Sequence, residues 1–216
     1  TGSYTIGAGQ SSADLGVSSY ALTTGPVDIA GNAMTSTTMP AGNISGTQAI
    51  VVDTTLPTVS SFSSTTADGA YKVGSTINST ATLSEAVTAA ASITVTLDNG
   101  KTVVLTHNAV NNTLTGTYTV AAGDTSADLT VSSYALTSAP ADAAGNIMTD
   151  TTVPSGANNI AGSKAIVVDT TAPSTPSTPD LATASDTAGA SDTDNITSDS
   201  TPTINVSTSS GTAVVT

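Results

Sequence analysis

The chain repeats itself, and that repeat limits what it can fold into. Residues 1–40 align without a gap on residues 115–154, with 27 of the 40 positions identical. TGSYTIGAGQSSADLGVSSYALT lies over TGTYTVAAGDTSADLTVSSYALT. Two extra residues near Ala157 and Asn158 move the offset from 114 to 116, after which AIVVDTTLP at 49–57 lies over AIVVDTTAP at 165–173. A period of this size is too long for a solenoid coil and right for a whole domain. It divides the 216 residues into the second half of one unit (1–53), a complete unit (54–169) and the beginning of a third (170–216). The third departs from the pattern after DTTAP and is expected to be a different domain type. The sequence opens in mid-pattern without a signal peptide and stops in the apolar run GTAVVT, so a window on a longer chain is expected.

Within the complete unit the local signals are those of strands. Thr, Val, Ser and Gly are frequent, whereas Leu, Glu, Lys and Arg are not. Period-two alternation puts Ile77, Ser79, Ala81 and Leu83 on one face, and Ile93, Val95 and Leu97 on another. Asp98-Asn99-Gly100-Lys101 reads as a tight hairpin turn, with 102–106 as the returning strand. Strands at 58–63, 75–83, 93–97, 102–106, 114–120, 129–135 and 165–168 fit an immunoglobulin-like β-sandwich. Another β-sandwich or a small barrel is the alternative. The fold expected is therefore all-β: tandem immunoglobulin-like domains. Hydrophobic residues make up 38% of the chain, in patterned runs that a disordered segment lacks. With one Phe, five Tyr and no Trp, the core must rest on aliphatic side chains, and a thin core of that kind gains from a bound metal.

Charge narrows the function. Only 9% of residues are charged, and a net charge of −13 argues against nucleic acid and against anionic membrane surfaces. It suits hard cations or simple solubility. The absence of cysteine excludes disulfides and zinc–thiolate sites, and no run is long enough to span a membrane.

The acids recur in a pattern. GPVDIAGN at 25–32 and APADAAGN at 139–146 keep one Asp and an Asn four residues on, giving Asp28 with Asn32 and Asp142 with Asn146. Asp, Gly and Asn are turn residues, so either pair alone reads as a turn. With the strands lettered A to G, however, an immunoglobulin-like order brings the B–C and F–G loops to the pole where the chain enters. Glu85 is expected in the B–C loop, Asp142 and Asn146 in the F–G loop, and Asp53 in the entering linker. Three carboxylates with almost no Lys or Arg to neutralise them call for a cation, and calcium takes six to eight oxygens with tolerant geometry. Asp192-Thr193-Asp194-Asn195 starts like an EF-hand loop but lacks its later Gly and Glu, so it reads as a non-EF calcium loop. Asp68, Asp124 and Asp128 read as ordinary solvated loop acids, and His107, the lone histidine, as a surface residue at a strand end. Neither a nucleophile elbow nor aromatic platforms for a sugar are present, so no enzyme is expected.

DTTxP, ADGAYKVGSTI, LSEAV, TLDNG, YTVAAGDTSADL, DAAGN and AIVVDTTAP together resemble the bacterial immunoglobulin-like repeats of giant secreted surface proteins, in particular the swimming-motility-protein type. PDLATASDTAGASDTDNITSDSTPTI resembles the start of a repeat from calcium-dependent RTX adhesins. The resemblance implies extracellular, tandem β-sandwiches stiffened by calcium. Carried over by position, it implies ligands at Asp53, Glu85, Asp142 and Asn146, and at Asp169, Asp186, Asp192 and Asp194 in the third segment. The function expected is a structural extender of a bacterial surface fibre or biofilm adhesin, contacting neighbouring repeats, like fibres, or a host or biofilm surface. A self-assembling filament or surface-layer subunit and a glycan- or protein-binding module are the alternatives.

Overall fold

A computed structural model describes residues 2–88, 90–107, 111–189 and 193–206. The chain divides into two compact units, Thr1–Asp169 and Thr170–Thr216. The larger is all-β. Its strands are β1 (Val59–Ser63), β2 (Gly69–Tyr71), β3 (Thr76–Val87), β4 (Ser92–Leu97), β5 (Thr102–Thr106), β6 (Asn111–Thr119), β7 (Val131–Ser138) and β8 (Ile166–Val168). Six of them form one antiparallel sheet in the order β1-β3-β6-β5-β4-β7. In the letters used above this is A-B-E-D-C-F.

Alternation sets which face turns inward. Ile77, Ser79, Ala81 and Leu83 of β3 are buried, as are Ile93, Val95 and Leu97 of β4 and Val103 and Leu105 of β5. Phe62 meets Tyr134 edge-on, with ring centroids 5.5 Å apart, and joins β1 to β7 across the core. Burying each of the large apolar side chains among these contributes about 1.5–3 kcal/mol. The Asp98–Lys101 turn closes through Gly100, whose φ of 77° favours glycine. The β4–β5 hairpin is paired from Ser92↔Thr106 to Thr96↔Thr102. Because these two strands stay joined, a single sheet curls round the core instead of splitting into two.

The curl is completed where β5 meets β6, which pair at Thr106↔Thr115. Gly116 stands there, and an added Cβ would press on the Val104 carbonyl oxygen and come within 2.8 Å of Leu105 Cδ2. The two backbones approach closely because this residue has no side chain. β8 pairs in parallel with β2, from Gly69↔Ile166 to Tyr71↔Val168, and bridges Ser126 through Val168.

The structure corrects four sequence-based readings. β2 was not among the expected strands, because its three residues carry no alternation and it forms only by pairing with β8. Glu85 lies on β3, which runs on to Val87, and not in a loop. Asp124 is buried: its Oδ2 accepts hydrogen bonds from Tyr118 Oη at 2.6 Å and Ala121 N at 2.8 Å, and Lys101 Nζ lies 3.0 Å from Oδ1. His107 is likewise buried, its backbone N donating to Ala91 O at 2.9 Å. In the smaller unit, β9 (Asp180–Leu181) pairs antiparallel with β10 (Ile204–Asn205).

Candidate metal centre

A hairpin tip carries Asp142 into place. Asp142 N donates to Asn146 O at 3.1 Å, and Gly145 N donates to Asp142 O at 3.3 Å. The carboxylate is held from both sides: Asn146 N donates to Oδ1 at 2.9 Å and Asn146 Nδ2 to Oδ2 at 2.7 Å. The first copy builds the same tip. Asn32 N donates to Asp28 Oδ1 at 2.8 Å, and Asn32 Nδ2 to Asp28 Oδ2 at 2.9 Å. Bridges flank the two tips at Val27↔Ala33 and Ala141↔Ile147, positions that correspond in the repeat. Asp28 and Asn32 are exposed, and among the described residues no acidic group of three includes Asp28. Turn chemistry alone therefore accounts for the recurring Asp and Asn. What sets the second copy apart is the company Asp142 keeps.

Two acids reach it from other parts of the unit. Asp53 lies just before β1; its Oδ1 accepts from Thr55 N at 2.9 Å, and its carbonyl oxygen accepts from Asn146 Nδ2 at 3.1 Å. Asn146 thus ties the entering segment to the hairpin tip and acts as a positioning residue. Glu85 comes from β3. Period two sets it on the face of Leu83 and Val87, both buried, at the end of the core where the sheet opens. Thr88 N donates to Ala141 O at 2.8 Å and pins this strand end to the tip. One carboxylate oxygen from each of Asp53, Glu85 and Asp142 lies within 4.8 Å of the others.

The three line a depression of ≈ 420 Å³ with Val51, Ala86, Ala143 and Ala144. None of the lysines is in that lining. Asp142 is buried and Glu85 half-buried, with Glu85 Oε1 out of contact with solvent and without a hydrogen-bond partner. Burial, then the charges of Asp53 and Asp142, push the Glu85 carboxyl above its ordinary range. Burial pushes Asp142 up as well, but the Asn146 side chain and the backbone N–H groups of Asn146, Gly145 and Ala144 together outweigh it. Asp142 is held below the ordinary range. The site is an ionised, well-supported carboxylate beside a second one that resists ionisation.

The donor set fits a hard cation. It offers carboxylate oxygens and contains neither His nor Cys, the ligands zinc favours. Calcium accepts such oxygens at varied angles and completes its shell with carbonyls and water.

The other expected ligands are placed elsewhere. Asp169, the repeat counterpart of Asp53, donates through its backbone N to Tyr71 O at 3.0 Å. In the smaller unit Asp186 is buried and accepts from Asn195 N at 3.2 Å, while Asp194 Oδ1 accepts from Ile196 N at 3.2 Å. Asp192 lies outside the described residues. Among the described residues the trio of Asp53, Glu85 and Asp142 is the group of at least three acids placed to share an ion. No family model, curated protein or solved structure matches this chain.

Proposed function

We propose that Asp53, Glu85 and Asp142 hold a calcium ion that locks the entering segment onto the repeat, and that the chain is a structural extender of a bacterial extracellular adhesin or surface fibre. The observation that carries the metal reading is Glu85 Oε1. It is a buried carboxylate oxygen without a hydrogen-bond partner, on a side chain that brings a carboxylate oxygen within 4.8 Å of those of Asp53 and Asp142. A buried polar atom of this kind costs about 1–3 kcal/mol, and a cation bound by all three carboxylates removes the cost together with their mutual repulsion. The extender reading adds the repeated domain, the low aromatic content and the resemblance of the motifs to tandem surface repeats. It assigns the chain a mechanical task and no catalysis.

Thermal unfolding and calcium titration calorimetry test it. Saturating calcium should raise the melting temperature over EGTA, and calorimetry should find calcium binding at this site that Asp142→Ala removes. In small-angle scattering, calcium should narrow the distribution of interatomic distances. Identical melting curves in calcium and EGTA would remove the metal and leave the hairpin tip as a turn.

A further inference from the structure

One strand pairing in the larger unit differs from the rest. Among the described residues its six-stranded sheet is antiparallel throughout, whereas β2 and β8 run parallel, from Gly69↔Ile166 to Tyr71↔Val168. Gly69 N donates to Ala165 O at 2.9 Å, and Asp169 N to Tyr71 O at 3.0 Å. The register Ala70↔Val167 sets Val167 between these bonds, where a parallel ladder sends both of its backbone groups to β2. The other edge of β8 is held as well. Ser126 N donates to Val168 O at 2.9 Å, Val168 N to Ser126 O at 2.8 Å and Leu129 N to Ile166 O at 2.8 Å. Ile166 and Val168 are buried, and Val167 is exposed.

The chain enters and leaves this repeat at opposite ends of its strands. Asp53 lies beside Glu85, near the end of β3. Asp169 is bonded to Tyr71, and a turn in which Ser75 N donates to Lys72 O at 3.1 Å leads from Tyr71 into the start of β3 at Thr76. Along an extended strand Thr76 and Glu85 are roughly 30 Å apart. The tight turn reverses the chain, so β2 and β8 both run toward the exit. A pull on the two ends of the repeat therefore acts along the axis of β8. Sliding β8 past β2 strains all their bonds at once, whereas peeling it away strains them one after another. We propose that β2 and β8 form a mechanical clamp, a parallel patch by which the repeat resists tension applied through its own chain. β1 opposes the same pull at the entrance, because it runs along β3 from Val59↔Leu83 to Ser63↔Thr80. The proposal rests on the extender reading for the statement that tension arrives at the chain ends; the clamp itself is a property of the fold.

Stretching single molecules tests it, since forced unfolding reads the unfolding rate directly. The chain has no cysteine, so an introduced thiol is a unique handle. All measurements are made in EGTA, which sets the metal aside. In the first geometry the handles sit at the two chain ends, and opening of residues 54–169 is read from the gain in length. In the second, the handles sit at Lys72→Cys, an exposed position, and at the C-terminus. Both strands of the patch are then held at the same end and part like a zipper. The opening force should be at least twofold higher in the first geometry. Val167→Pro removes an N–H of the patch without touching the core, and should halve the force in the first geometry. Val103→Ala, in the buried face of β5 and off this path, should lower the melting temperature without that drop in force. Equal forces in the two geometries overturn the proposal, as does a loss of force in Val103→Ala that matches Val167→Pro. If Val167→Pro does not fold, the two geometries decide by themselves. Failure of the clamp leaves the extender reading standing, because calcium-dependent melting and scattering judge that reading. Failure of the calcium tests leaves the two forces as they are.

Discussion

At the scale of single residues, Glu85 carries the sharpest expectations. Its folded carboxyl holds a proton more tightly than the unfolded chain does, because burial and two neighbouring carboxylates oppose its charge. The sign follows from linkage. The folded state binds more protons, so in EGTA this group's contribution is retained below the ordinary glutamate range and lost as pH rises through its elevated folded value. Glu85→Gln removes the charge and keeps the shape. Its melting temperature at neutral pH in EGTA should exceed that of the parent chain, while its calcium-induced rise should vanish. A variant that is less stable in EGTA and still gains from calcium would place the metal elsewhere. Asp142 has the opposite sign: its hydrogen bonds support the ionised form, and that contribution is lost on acidification below its ordinary range.

At the scale of elements, two contacts decide whether the sheet closes. At Gly116 β6 passes close to β5, and a methyl group there meets a backbone oxygen that cannot swing aside. Gly116→Ala should cost about 1–3 kcal/mol by overpacking, read as a lower urea midpoint. A midpoint equal to the parent's would show that the strands can separate without penalty. Tyr118 and Tyr134 anchor the strands on either side of the core. Burial, with Asp124 accepting from one phenol and the Asp150 charge near the other, pushes both up to about 12. The unfolded chain ionises its tyrosines near 10. The stability these phenols confer is therefore whole below pH 10 and lost as pH rises toward 12. Ultraviolet titration should show two tyrosines ionising late and together with unfolding. Ionisation of all five near pH 10 without unfolding would contradict the buried placement.

At the scale of the whole molecule, the large unit holds one back half that is covered and one that is not. Val17 N and Val131 N make the same bond to an Asn side chain, and differ in what lies over them. Local opening costs less where few apolar contacts must break. The Val17 amide should therefore exchange at least 100-fold faster than that of Val131 under native conditions. Equal rates would mean that the hydrogen bonds alone, without the overlying strands, rigidify this half.

Much of this was legible in the residues. The repeat and its period of 114–116 follow from identity alone, and alternation identified the inward face of β3 and β4, because side-chain direction in a strand is a local property. The hairpin at Gly100 and the Asp–Asn tips were legible for the same reason, since turn residues act on their own backbone. Other features depend on residues distant in the chain. Nothing near 69–71 signals a strand, because β2 exists by pairing with residues 166–168. Asp124 was read as a solvated loop acid because its partners Tyr118, Ala121 and Lys101 gather only on folding. The trio at Asp53, Glu85 and Asp142 lies between these cases. Charge bookkeeping and the assumed topology suggested that the acids meet, but three stretches of chain had to converge before their oxygens came within 4.8 Å. The sequence by itself determined most of the strands, the turns and the repeat, because these rest on short-range geometry. Only the tertiary structure decided which acids share a site and which apolar faces are covered, because both depend on contacts between residues tens of positions apart.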